Sequence, residues 1–133
     1  NRIMKMKNKQ ILAIYNNIRP IKQKQLPVKI GFAINKNLAT MDDAAKAYEE
    51  ERMKILDRYG EKDENGLKTS EDGKEYLLKD KKAYKEAMDE LWEIETDISI
   101  HTVTMNDVEK CDSEKFDALT PFELEVLEFM IEE

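Results

Sequence analysis

The acidic stretch from Glu61 to Asp72 holds the one residue spacing in this chain that suits a metal ion. If Gly66 is set on the invariant glycine of an EF-hand loop, then Glu61, Asp63, Asn65 and Asp72 fall at loop positions 1, 3, 5 and 12. Oxygen donors in that pattern suit Ca²⁺. Three departures count against it. Position 1 is Glu rather than Asp, position 12 is the shorter Asp, and Lys68 stands where an apolar strand residue normally pairs. A solvated turn built on Asn65-Gly66 is the plainer expectation. His101 follows Glu93, Glu95 and Asp97 in sequence, and a histidine beside a carboxylate can move protons. No nucleophile accompanies it in the sequence pattern, so a histidine on a sheet face is expected. Cys111 follows Lys110, and a neighbouring ammonium lowers a thiol pKa. One such contact does not make a reactive site.

The counts exclude several classes. A single cysteine rules out an internal disulfide and any Cys-rich zinc or iron–sulfur centre. A single histidine rules out a two-His metal site within one chain. No cofactor is expected. No apolar run approaches the ~20 residues that span a bilayer, and no leader pattern is present, so no membrane partner and a cytoplasmic location are expected. Of the 133 residues, 38% are charged, against a usual share of roughly 25%. The net charge of −7 conceals an asymmetry. Nine basic and no acidic residues precede Asp42, a net of +9, and the remainder carries −16. Such a division points to a charged partner or to contact between the two halves.

The elements that must position these residues follow from periodicity. Met4 to Lys7 alternate as a short strand. Asn8 fits an N-cap, and Ile11, Leu12, Ile14, Tyr15 and Ile18 form a helical stripe that Pro20 is expected to end near Ile18. Ile34, Leu38, Met41, Ala45, Tyr48, Arg52, Ile55 and Tyr59 alternate spacings of four and three, a heptad seam interrupted by Arg52. Pro27 and Gly60 suit the ends of one helix over residues 28–59, about 48 Å long. A rival reading takes the alternation Val28, Ile30, Phe32, Ile34 as a strand, with Thr40 and Asp43 capping a shorter helix.

Turn chemistry fills residues 61–80, with Leu67–Thr69 and Glu75–Leu78 expected to pair around Asp72-Gly73. A second helix over 80–97 carries Tyr84, Ala87, Leu91, Ile94 and Ile98. Ile98 to Met105 then has strand character and could pair with the strand near Met4. Asn106 with Glu109 resembles a capped turn. Thr120, Pro121 and Glu123 form a capping box. Phe122, Val126, Leu127, Met130 and Ile131 make a broad apolar face behind it. The seven methionines, Met4, Met6, Met41, Met53, Met88, Met105 and Met130, are expected to fill gaps in the core.

The expected architecture is a single α+β domain, mostly α. An antiparallel helical hairpin, a coiled-coil arm over 42–97 with a β-hairpin tip, joins a body of 1–41 and 98–133 that holds the short strands and a C-terminal helix. Leu26-Pro27-Val28-Lys29, the run Arg58-Tyr59-Gly60-Glu61-Lys62-Asp63-Glu64-Asn65-Gly66 and the run Leu119-Thr120-Pro121-Phe122-Glu123-Leu124 resemble small phage and prophage proteins of unassigned function. That resemblance implies no catalytic residues. The helix, β-hairpin, helix layout over 28–98 is similar to a β-type prefoldin subunit, from which the added strands and terminal helix depart.

These features lead to a non-catalytic protein–protein interaction or assembly protein of phage or prophage origin. It would meet a partner or a second copy through Tyr48, Arg52, Ile55, Tyr59, Tyr84, Leu91 and Trp92. Arg52 in the seam calls for a carboxylate, which a second copy could supply. The alternative is an acidic inhibitor whose stretches Glu86–Asp97 and Glu123–Glu133 imitate a nucleic acid and block a host nucleic-acid-binding protein. Direct nucleic-acid binding by the basic segment is disfavoured, because the −16 remainder repels phosphates.

Overall fold

The computed structural model describes residues 1–132. The fold is mostly α with small sheets: five helices and three two-stranded sheets among the described residues. Two compact units form. One comprises Asn1–Ala45 with the chain from Glu95 onward, and the other is Lys46–Ile94.

In the first unit, β1 (Arg2–Lys7) pairs antiparallel with β4 (Glu95–Ile100), Met4 opposite Ile98. Met6, Ile98 and Ile100 are buried on one face. On the other face Lys5 lies opposite Asp97, their charged atoms 4.0 Å apart, and Lys7 opposite Glu95. Apolar residues inward and opposed charges outward specify this register, since a slip of one residue would reverse both faces.

Helix α1 (Asn8–Ile21) starts directly after β1. Asn8 is its first residue rather than its cap; Gln10 Oε1 accepts from the Lys7 N–H at 2.9 Å. Pro20 does not end the helix near Ile18. It sits in the last turn, where one lost backbone bond is a small cost. Buried Ile21 and a bond from the Lys22 N–H to the Ile18 carbonyl hold that turn closed.

Helix α2 (Val28–Tyr59) is continuous, which overturns the strand reading of its first residues. The Pro27 carbonyl accepts from the N–H groups of Ile30 and Gly31. Burial follows helical spacing: Ile30, Ala33, Ile34, Asn37, Leu38 and Met41 are buried, while Val28 and Phe32 are 86% and 53% exposed. An alternating strand would have buried Val28 and Phe32 with Ile30.

The strand expected over Ile98–Met105 is broken. After β4, residues 101 and 102 interrupt it, β5 is only Val103–Thr104, and Met105 opens α4 (Met105–Glu109). The ladder to β1 ends at the Arg2–Ile100 pair, and beyond it the Asn37 side-chain amide takes both backbone groups of His101. The cap of α4 is Thr104 with Asp107, in place of the expected Asn106 with Glu109. Helix α5 (Pro121–Leu127) begins as the sequence suggests, with Glu123 N–H donating to Thr120 Oγ1 and Thr120 N–H donating to Glu123 Oε1. It then tightens into a 3₁₀ turn over Glu128–Met130, and β6 (Ile131–Glu132) pairs parallel with β5. The core of this unit includes Ile11, Ile18, Ile30, Ile34, Met41, Ile100, Leu127 and Met130.

The second unit contains an antiparallel helical hairpin. Tyr48 and Trp92 meet near one end, ring centroids 5.0 Å apart, and Lys79 N–H donates to the Tyr59 carbonyl near the other. Helix α3 (Lys81–Glu93) is capped by Asp80 and stops short of the expected residue 97. Ile94 is already extended, and Ile98, assigned to the seam by spacing, lies in β4. The alternating β-branched residues Thr96, Ile98 and Ile100 find partners in β1, which outweighs the heptad spacing. At the tip, Thr69 bridges Tyr76 as expected, and a second turn joins β2 (Lys62–Asp63) to β3 (Gly66–Leu67). Three backbone bonds close a ring there. Glu61 N–H donates to Leu77 O, Leu77 N–H to Lys68 O, and Lys68 N–H to Glu61 O.

Candidate binding groove

The residues singled out for chemistry are distributed rather than convergent. Asp63 accepts from the Asn65 N–H at 2.8 Å, within the β2–β3 turn. Asp72 accepts from Ser70 Oγ and the Lys74 N–H in the next turn, and these bonds hold its carboxyl below the usual range. Glu61 contributes backbone bonds to the ring at the tip. The Glu61, Asp63, Asn65, Asp72 set is therefore divided between two turns, which engage the carboxylates of Asp63 and Asp72. No group of three or more metal-ligating side chains is gathered among the described residues.

His101 is half-buried, its ring edge-on to Phe32 at 5.3 Å between centroids. Cys111 is buried, and burial pushes its thiol pKa up, with Asp112 adding to the effect. Lys110 does not activate it: the Lys110 ammonium lies 3.7 Å from Asp107 instead. Four methionines, Met6, Met41, Met88 and Met130, are buried as expected, but Met53 and Met105 are 39% and 50% exposed.

The seam residues proposed as an interface mostly face their own unit. Tyr48, Ile55 and Leu91 are buried, and Trp92 packs on Tyr48. Arg52 has its carboxylate within the chain, Glu49 at 2.9 Å, so that need does not require a second copy. Tyr59 lies under the Arg58 guanidinium, and Tyr84 lines a cavity of about 590 Å³ with Leu56 and Leu77.

An open concavity lies within the first unit, and spacing alone did not reveal it. It is an open groove of about 1180 Å³ between α1 and the segment Leu124–Phe129. Ile14 of α1 lines one wall, and Val126, Phe129 and Ile131 line the other, all half-buried and packed against the core from behind. Met105 and Leu124 add exposed apolar surface. The polar lining is Arg2, Asn17, Glu125, Glu128 and Glu132. Two of these already have a partner in the fold. The Arg2 guanidinium donates to the Phe129 carbonyl, and Thr102 Oγ1 donates to Glu132. Glu125 and Glu128 are exposed.

The sequence dictates this groove through the way α5 ends. Leu127 and Met130 are buried in the core, while Val126 and Phe129 pack against it only in part and leave their remaining surface to the groove. The apolar face over 122–131 is wider than one neighbouring helix can cover, and that width was the available signal. Two connectors fix the start of α5. Lys24 Nζ bonds Glu123 at 2.5 Å and the Ala118 carbonyl at 2.8 Å. The Gln25 N–H and carbonyl bond the Asp117 carboxylate and N–H in return.

Comparison of the chain with protein-family models, curated proteins and solved structures finds no match.

Proposed function

We propose that this chain is a non-catalytic protein–protein interaction or assembly protein whose partner seats in the groove between α1 and α5. One observation carries the reading: the groove is larger than the ~300–1,000 Å³ of small-molecule sites, open, and walled by apolar side chains continuous with the core. At about 1180 Å³ it lies just above that range, and its open, continuous apolar wall suits a polypeptide segment. Its polar lining, one arginine, one asparagine and three glutamates, supplies no nucleophile–base pair, and His101 and Cys111 lie outside it. Phage or prophage origin and a place in the host cytoplasm rest on the three sequence stretches described above. No helix is long and apolar enough to cross a membrane among the described residues.

The acidic-mimic alternative draws less support. A mimic presents unbroken negative charge, yet Lys85 answers Asp89 within the first of the two acidic stretches, and Lys24 answers Glu123 at the start of the second. A photo-crosslinking residue tests the leading reading. Placed at Leu124 in the native host, it gives a discrete protein adduct, and placed at Glu86 on α3 it does not. Absence of any adduct at Leu124, or equal adducts at both positions, contradicts the proposal.

A further inference from the structure

Resting on that reading of the groove, we infer the chemistry of its occupant: a basic amphipathic helix. The groove joins two features that seldom suit the same ligand. Its floor is apolar, from Ile14, Val126, Phe129 and Ile131. Its rim is acidic, and Arg2, the one cation lining it, is engaged by the Phe129 carbonyl. Glu125 and Glu128 face solvent, and neither forms an ion pair among the described residues.

A helix with an apolar stripe at i, i+3, i+4 and i+7 fills such a floor, and lysine or arginine on its flanks meets the rim. Long cationic stems also cover apolar surface while their charges reach the carboxylates. Addition of an extended strand is the weaker fit. Two strands reach the groove: β6 is only two residues long, and β1 contributes only its first residue, Arg2, so neither lays a long edge along it. A neutral apolar helix would leave Glu125 and Glu128 beside a partly desolvated surface without compensation. Complementary charge therefore selects the sign of the partner and speeds its encounter, while the apolar floor supplies the area.

The test uses the full chain and two labelled peptides of about five helical turns. One is patterned Leu/Lys and the other Leu/Glu with the same spacing, and fluorescence anisotropy reads their binding. The Leu/Lys peptide binds, and the Leu/Glu peptide does not. Reversing the rim with Glu125→Lys and Glu128→Lys together weakens Leu/Lys binding about tenfold or more. The same double reversal at Glu86 and Glu90 on α3 changes it less than about twofold, because those sites lie outside the groove. All four positions are exposed, so both variants fold, which circular dichroism checks.

Equal weakening by both double variants would mean a nonspecific response to net charge and would overturn the inference. So would equal binding of both peptides, or no binding of Leu/Lys. A concentration-dependent dimer that Leu124→Asp dissociates would identify a second copy as the occupant, which also overturns it. If the crosslink at Leu124 captures a protein while Leu/Lys fails to bind, the groove remains an interface and only its assigned occupant is wrong.

Discussion

Asn37 on α2 holds the backbone of His101 as a neighbouring strand would. Its Nδ2 donates to the His101 carbonyl at 2.9 Å, and its Oδ1 accepts from the His101 N–H at 2.8 Å. The side chain is 1% exposed and ties the long helix to the point where β4 ends. Asn37→Leu leaves both His101 groups unpaired and is expected to destabilise the fold by about 2–3 kcal/mol, read by urea denaturation. Asn37→Asp keeps the acceptor but sets a carboxylate against a carbonyl. Its folded pKa is then raised, so its stability is fullest at low pH and declines as pH rises through that value. A variant with the same stability as the parent at every pH would contradict this pairing.

Much of the fold was legible because local signals and packing agree. The capping box at Thr120, the α2 ends at Pro27 and Gly60, and the β1–β4 pairing each satisfy pattern and burial together. Misreadings arose where a distant residue decides. Pattern could not show that Asn37 would take up the backbone of a residue 64 positions away, or that β1 would draw Glu95–Ile98 out of a heptad. The groove was hidden for a related reason. Ile14, Val126 and Ile131 have core periodicity, and which part of an apolar face stays uncovered depends on the packing of α1 against α5. The acidic EF-hand-like spacing does not gather its side chains, because Asp63 and Asp72 each bond within their own turn.

Gly60 is a site of close approach. A Cβ there would lie 2.6 Å from the Leu56 carbonyl oxygen, a backbone atom, and 2.6 Å from Leu67 Cδ2. Leu67 can shift, but the helix carbonyl cannot do so without breaking its bond to the Gly60 N–H. Gly60→Ala is expected to cost about 1–3 kcal/mol, felt within the second unit. Hydrogen exchange should speed up at the Glu61, Lys68 and Leu77 amides and stay unchanged at β1–β4. Uniform acceleration, or none, would count against it.

Glu123 gives the first unit an acid-sensitive contact. The Lys24 ammonium, then the Thr120 N–H, holds its carboxyl below the usual glutamate range. A lowered folded pKa contributes stability that is present above the unfolded value and lost as pH falls through the folded one. Glu123→Gln should therefore destabilise by about 1 kcal/mol at neutral pH, and the gap should close as pH falls from the ordinary glutamate range through the lowered folded value. Denaturant midpoints at neutral and acidic pH measure this, and a gap independent of pH would refute it.

Tyr48 and Trp92 make the second unit visible by fluorescence, since Trp92 is the one tryptophan. Tyr48 is buried, and Tyr48→Ala is expected to cost about 3 kcal/mol and shift Trp92 emission to the red. Burial also raises the Tyr48 pKa, so its contribution is complete below pH ~10 and fades as alkalinity carries the phenol through its folded value. Unchanged emission in the variant would show that the ring contact does not shield the indole.

The groove is most directly tested by methyl NMR of the full chain titrated with the Leu/Lys peptide. The Ile14, Val126 and Ile131 methyls, which line it, should shift progressively and saturate, while those of Leu56 and Leu91 in the second unit should stay in place. Shifts confined to the second unit, or spread evenly over both, would contradict the assignment of this groove as the binding surface.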